Sequence, residues 1–168
     1  MRPGSRRLAL TAHVTVSVGW GGAVAAFLAL AVTGLLTAEA ARGAYLALEV
    51  VATYVIVPLA VATLASGVVS SVTTAWGLFR HYWVVVKLGV TVVAVVVLLL
   101  QLPLIAYLAD AARAAAPFDE KAGEARRSLV VHSGAGLLVL LVPTVLGVYK
   151  PRGLTPYGAR TARTARSG

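Results

Sequence analysis

Cysteine is absent from this 168-residue sequence, and acidic residues are scarce, with six Asp and Glu against fifteen Lys and Arg. The missing cysteine excludes disulfides, thiolate metal sites, iron–sulfur clusters and covalent haem attachment. Charged residues of both signs make up only 12% of the chain, whereas a soluble domain carries about 25%. Because so few charges cannot hydrate the surface of a soluble domain, the sequence predicts that most of the chain contacts lipid.

Apolar residues are abundant instead, at 59% of the chain. They form four long segments, each long enough at about 1.5 Å per residue to cross a hydrocarbon core of roughly 30 Å. A bilayer cannot hydrate free backbone groups, so each segment is predicted to be helical despite its many valines. The predicted spans are residues 8–36, 44–72, 82–109 and 128–149, joined by turns at 37–43 and 76–81 and a polar loop at 110–127. The predicted fold is an all-α integral membrane four-helix bundle with up-down topology, a single membrane domain over residues 1–168.

The cations predict the direction of the helices, because Lys and Arg near the ends of spans are retained in the cytoplasm. One side of an even-numbered bundle carries Arg2, Arg6, Arg7, Arg80, Lys150, Arg152, Arg160, Arg163 and Arg166. The other side carries cations and carboxylates in near balance. Both termini are therefore predicted to be cytoplasmic. Residues 158–168 are predicted to be a disordered basic tail against anionic lipid, and cations placed at span ends argue against nucleic acid as a partner.

Ionisable side chains inside a span cost about 2.5–3.5 kcal/mol on insertion scales, so they mark candidate sites. By the helix rise, His13 and Lys87 each lie about 6 Å inside the cytoplasmic boundary, and His81 lies close to that boundary. The sequence thus predicts an inner polar cluster of His13, Lys87 and His81. The structural alternatives are a lysine that reaches the interface with its long stem and histidines that are satisfied by hydrogen bonds.

The depth below the opposite boundary, calculated in the same way from the helix rise, is equal for Glu49, Gln101 and His132. These residues are therefore predicted to form an outer polar cluster. On the third span, one stripe recurs at spacings of three and four and is expected to face the bundle. It consists of Arg80, Trp83, Lys87, Thr91, Ala94, Leu98 and Gln101. Small residues four apart are expected to form close helix–helix contacts. The first span has one such row, Ser17, Gly21 and Ala25. The second span has Thr63, Gly67 and Ser71, or Ala62, Ser66 and Ser70, and the fourth has His132, Gly136, Val139, Pro143 and Gly147. Pro58 is expected to bend the second span near its middle.

Two classes of function remain open. A structural or partner-binding role leads, with lipid and a membrane-protein partner or a second copy of the chain as partners. No nucleophile elbow or phosphate-binding loop is present, so enzymatic activity is not expected, and no cofactor or metal is expected in this role. The alternative is a membrane redox protein in which His13, His81 or His132 binds b-type haem or a metal, or a small transporter subunit that uses the third-span stripe.

Three segments carry a resemblance to a known group of proteins. They are Leu10-Thr11-Ala12-His13 with Ser17-Val18-Gly19-Trp20, the run from Trp76 to Val84 with Lys87, and Val148-Tyr149-Lys150-Pro151-Arg152-Gly153. Over nearly the whole chain the sequence resembles a group of uncharacterised actinobacterial four-span membrane proteins, which implies four helices in the plasma membrane. His13, Trp20, Gly21 and Gly22 are also similar to the first helix of copper-resistance D type membrane proteins. Copper(I) prefers Cys or Met ligands, and Met1 is the chain's only methionine.

Overall fold

The computed structural model describes residues 3–73, 79, 81–114, 117–149, 153, 155–157 and 159–160. These residues form helices and no strand, so the predicted all-α class is confirmed for them. The helices are α1 (Pro3–Leu36), α2 (Ala38–Val51), α3 (Val57–Thr73), α4 (Tyr82–Arg113) and α5 (Glu120–Tyr149), and a π-helical segment, Ala52–Ile56, joins α2 to α3. Four continuous stretches are long and apolar enough to cross a membrane: Arg7–Leu36, Ala38–Val72, Tyr82–Arg113 and Glu120–Tyr149.

The helices extend further than the predicted spans. The predicted turn at 37–43 is wrong, because Thr37, with φ −118° and ψ 104°, is the only residue between α1 and α2. The predicted loop at 110–127 is also shorter, since α4 continues to Arg113 and α5 begins at Glu120. Both regions are rich in alanine, the strongest helix former. Charged residues limit the part of a helix that lies in lipid, but they do not end the helix.

The predicted basic tail falls almost wholly outside the described residues. Within residues 158–168, only Ala159 and Arg160 are described. The Ala159 N–H donates a hydrogen bond to the Thr155 carbonyl at 2.9 Å. Arg80 of the predicted stripe, the turn residues 76–78 and the cations Arg2, Lys150 and Arg152 also lie outside the described part of the chain.

The helices form a four-cornered arrangement. α1 packs against the α2–α3 span and against α5, and α4 packs against the same two neighbours. We call the end where α1 and α4 begin and α3 and α5 end the basic end. The opposite end is called the mixed-charge end, because all six carboxylates of the sequence lie there or one to three turns inside it.

The most tightly packed region lies in the half of the bundle next to the mixed-charge end. Its fully buried large side chains are Tyr45, Leu48, Leu108 and Leu129. Gly34 of α1 makes room for Tyr45, since a Cβ at position 34 would lie only 3.0 Å from the Tyr45 Cζ atom. Phe118 packs edge-on against the same ring, with 5.6 Å between the ring centroids. Tight packing in this half therefore holds the helices together.

Pro58 explains the break in regular α-helix in the second span. Val57 donates its N–H to the Ala52 carbonyl, five residues back, which is the bond of a π-helix. Pro58 follows and has no N–H, so the Tyr54 carbonyl has no donor four residues ahead. The disturbance expected at Pro58 is thus a widened turn directly before it. One extra residue in a turn rotates α3 relative to α2 by about 100°, which determines the face that α3 presents to the bundle.

Candidate functional site

A polar cavity of about 400 Å³ lies between α1, α3, α4 and α5 in the half next to the basic end. This volume falls in the range of roughly 300–1,000 Å³ that is usual for small-molecule sites. Its polar lining includes Arg7, His13, Ser17, Thr63, Lys87 and Thr91. The residues that line it include two cations and no Asp or Glu. The charged side chains that line the cavity are therefore all positive.

His13 lies on the wall between α1 and α3, and its side chain is buried, with 8% of its surface exposed. Its Nδ1 atom lies 2.9 Å from Ser66 Oγ. The Ser66 hydroxyl also lies within hydrogen-bonding distance of the Thr63 carbonyl, at 3.2 Å, and the backbone of Thr63 interacts with the imidazole as well. These contacts fix the position of the ring against α3. Gly67 makes this position possible, because a Cβ there would lie 3.2 Å from His13 Cε1.

Lys87 extends across the cavity from α4 to α5. A Cβ built on Gly147 of α5 would lie 3.4 Å from Lys87 Nζ, so the amine lies against the opposite helix. In the described part of the chain, the two ion pairs are Arg113–Glu49 and Arg113–Asp110, and neither involves Lys87. Every carboxylate of the sequence belongs to the mixed-charge half of the bundle. Lys87 thus lies in the bundle without a protein counter-charge.

Two further polar groups on the wall have no partner. Trp20 is 3% exposed and Thr63 is 7% exposed. Among the described residues, Trp20 Nε1 and Thr63 Oγ1 form no hydrogen bond. Buried polar groups without partners are rare in native proteins, because desolvation then costs free energy that no hydrogen bond offsets. Two unsatisfied donors therefore lie buried in the wall of the polar cavity, which also carries the uncompensated Lys87.

The predicted inner cluster is only partly assembled. His13 and Lys87 line the same cavity, whereas His81 does not line it. His81 precedes α4, where its carbonyl accepts hydrogen bonds from the N–H groups of Val84 and Val85 at 3.2 and 3.3 Å. His81 therefore serves the start of a helix through its backbone.

A second cavity of about 240 Å³ adjoins the first and is almost entirely apolar. Trp20 and Leu140 line both cavities, so these two side chains form the boundary between them. The predicted third-span stripe accounts for one wall of each. Trp83, Lys87 and Thr91 line the polar cavity, and Ala94, Leu98 and Gln101 line the apolar one.

The predicted outer cluster is also divided. Gln101 and His132 line the apolar cavity together. Glu49 does not line it; its carboxylate pairs with the Arg113 guanidinium, which also donates to Asp110 at 2.7 Å. Helix rise predicts the depth of a residue but not the side of the helix from which it projects, and Glu49 projects toward the end of α4. His132 bonds within its own helix, with Nδ1 2.8 Å from the Ser128 carbonyl.

The three histidines lie apart. His13 lines the polar cavity, His132 lines the apolar cavity, and His81 lines neither. Over the described ranges, no group of three or more His, Cys, Asp or Glu side chains is placed to hold a metal ion. A haem or metal held by two of these histidines in one cavity thus has no geometric support here.

Arg126 is a structural residue that sequence reasoning missed. Its Nη2 donates to the Gly34 and Leu35 carbonyls at the end of α1, and its Nε donates to Tyr45 Oη at 2.9 Å. Its guanidinium also lies over the rings of Phe118 and Tyr45, with 4.9 and 5.5 Å to the centroids. Backbone carbonyls carry no residue-type signal, so these partners are invisible in the sequence. Ser66 was more accessible to prediction, because Ala62, Ser66 and Ser70 form a small-residue row at a spacing of four.

Some of the glycines predicted at helix contacts have close neighbours and others do not. No atom lies within 4 Å of a Cβ built on Gly21, so its predicted role in a tight helix contact is wrong. Gly67 makes room for the side chain of His13, and Gly147 makes room for that of Lys87. Small residues at these two positions therefore shape the cavity rather than a backbone–backbone contact.

No protein-family model, no curated protein and no solved structure matches this chain. The resemblance to actinobacterial four-span proteins stays a prediction. Function is therefore argued from the site itself.

Proposed function

We propose that the protein is an integral membrane protein of the plasma membrane, with four spans and cytoplasmic termini, that binds an anionic ligand inside its bundle at Lys87. Four helices of sufficient length and apolar composition support the membrane location. The excess of Lys and Arg at the basic end supports the orientation. The polar cavity is then on the cytoplasmic side of the bilayer.

One observation carries the binding role: the Lys87 amine lies in a cavity of about 400 Å³ that contains no carboxylate. A cation removed from water is costly unless an anion or several hydrogen bonds compensate for it. An anionic ligand supplies the missing charge. Trp20 Nε1–H and the Thr63 hydroxyl are unused donors buried in the same wall, and a small side-chain movement would let them bond an anion, to which hydrogen bonds are stronger than to neutral acceptors.

The lining of the cavity favours binding over a chemical step. A serine nucleophile needs a histidine base that a third group, usually a carboxylate, orients. His13 lies 2.9 Å from Ser66, but the lining residues of the cavity include no Asp or Glu.

The test compares the thermal unfolding of the purified protein in a neutral detergent, in sodium phosphate and in sodium chloride of equal ionic strength. A ligand that binds only the folded state raises Tm by mass action. Phosphate also stabilises proteins in general by exclusion from their surface, so the informative quantity is the difference between variants. Lys87→Met removes the proposed partner. Lys121→Met is the matched control, because Lys121 lies over the Tyr107 ring near the mixed-charge end.

We expect phosphate to raise Tm more in the wild type and in Lys121→Met than in Lys87→Met. Lys87→Arg should retain the larger increase, because it keeps the charge. Lys87→Met leaves no ion-pair partner behind, so it is expected to fold. An equal increase in all four proteins would show that phosphate acts only on the general surface, and the binding role at Lys87 would be wrong.

A further inference from the structure

We infer that the ligand is a single-chain amphiphile, with a carboxylate or phosphate head group at Lys87 and an apolar chain in the cavity beyond Trp20. This inference rests on the proposed function, since it takes the anion site as given. The anion site specifies the charged head group, and the second cavity specifies the apolar chain.

The two cavities lie one after the other along the bundle. Helix α4 contributes to both, from Trp83 in the polar cavity to Ile105 in the apolar one. Lys87 and Gln101 are about 21 Å apart along the helix axis by the helix rise. Within the described ranges, Trp20 and Leu140 are the residues that the two linings share. An elongated ligand that lies along the axis and passes these two side chains contacts both cavities.

The two cavities differ in the polarity of their linings. The polar cavity holds Arg7, Lys87 and His13. The apolar cavity is lined mainly by aliphatic side chains such as Val93, Val97 and Leu98. This contrast matches a molecule with a charged end and an apolar end, whereas a small polar anion would leave the second cavity unused.

The volume of the apolar cavity and the charge of the polar cavity limit the ligand further. A volume of about 240 Å³ is small for a ligand site, so the apolar cavity fits one chain rather than the two chains of a phospholipid. Positive head groups are disfavoured, because Arg7 and Lys87 line the head-group cavity and no carboxylate does. Trp20 lies at the junction, where its indole N–H has no protein partner and its ring contacts the chain.

The experiment uses quenching of tryptophan fluorescence by bromine, which acts on contact. Trp76→Phe/Trp83→Phe leaves Trp20 as the only tryptophan. The protein is reconstituted in phosphatidylcholine vesicles, and a fatty acid brominated at mid-chain is added. The matched probe is the methyl ester of the same acid, which has the same chain and no charge. We expect the acid to quench Trp20 at about tenfold lower concentration than the ester, and Lys87→Met to remove this difference.

Gly136→Leu tests the apolar cavity. Gly136 lines it, and no atom lies within 4 Å of its built Cβ, so the leucine side chain fills the space without a clash at its first atom. Gly134→Leu is the control on the same helix, since Gly134 has equally open space but lines neither cavity. We expect Gly136→Leu to weaken quenching by the acid about tenfold, and Gly134→Leu to leave it unchanged.

The outcomes separate the two proposals. Equal quenching by acid and ester, or quenching that Gly136→Leu does not weaken, overturns the amphiphile. If phosphate still raises Tm through Lys87 in that case, the anion site stands and its ligand is a small anion without a chain. If the phosphate effect is also absent, both proposals fail together.

Discussion

His13 of α1 packs against Gly67 of α3, where a Cβ would come within 3.2 Å of the imidazole Cε1. A contact this short forces the ring to shift, and the ring is also bonded through Nδ1 to Ser66, the preceding residue of α3. The absence of one methyl group at position 67 therefore sets where the histidine lies in the polar cavity.

Gly67→Ala is expected to lower Tm, since overpacking costs about 1–3 kcal/mol and exceeds the gain of about 0.5–1 kcal/mol from replacing a helical glycine. Gly89→Ala is the control on α4, because no atom lies within 4 Å of its built Cβ. Thermal unfolding in neutral detergent should give Gly89→Ala a Tm equal to or above that of the wild type. A Tm for Gly67→Ala that matches Gly89→Ala would show that the imidazole moves without cost.

Arg126 is expected to be the most important cation for stability. Arg126→Gln removes donors to two carbonyls of α1 and to Tyr45. Hydrogen bonds to charged groups contribute about 1.5–3 kcal/mol each, so we expect the free energy of unfolding to fall by at least about 3 kcal/mol. Arg127→Gln, at an exposed neighbouring position, is expected to change it by less than about 0.5 kcal/mol. Denaturant titration of both variants measures the difference, and equal losses would contradict the assigned role.

The orientation is tested with reporters whose activity depends on the compartment. Green fluorescent protein fused to either terminus is expected to fluoresce, because both termini are placed in the cytoplasm. Alkaline phosphatase inserted between α4 and α5, in residues 114–119, is expected to be active, because this connection is placed outside the cell. Phosphatase activity from a fusion at either terminus would reverse the orientation and would move the Lys87 cavity to the outer side.

Part of the site could be predicted from the sequence. The helical period alone placed Trp83, Lys87 and Thr91 on one face with Ala94 and Gln101, and these residues line the two cavities. The depths calculated from the helix rise placed His13 level with Lys87, and both line the polar cavity. The same calculation grouped Glu49 with His132, but His132 lines the apolar cavity and Glu49 does not. Depth is set by the rise per residue, whereas the direction of a side chain depends on how each helix is rotated in the bundle.

Other features had no signal of the right kind in the sequence. The helix boundaries at Thr37 and Glu120 were missed because hydropathy reports the lipid boundary, whereas hydrogen bonding continues beyond it. The anchoring of α1 by Arg126 was missed because its acceptors are main-chain carbonyls. The role of Gly67 was missed because a row of small residues does not reveal which neighbour occupies the free space.

The π-helical segment Ala52–Ile56 allows the second span to follow two different sets of packing demands. Before it, Tyr45 and Leu48 are immobilised in the tightly packed half; after it, Thr63 and Gly67 shape an open compartment. A regular helix would carry a single rotational phase from one half to the other. The extra residue adds a fixed offset, so each half of one span turns the face that suits its own neighbours toward the interior.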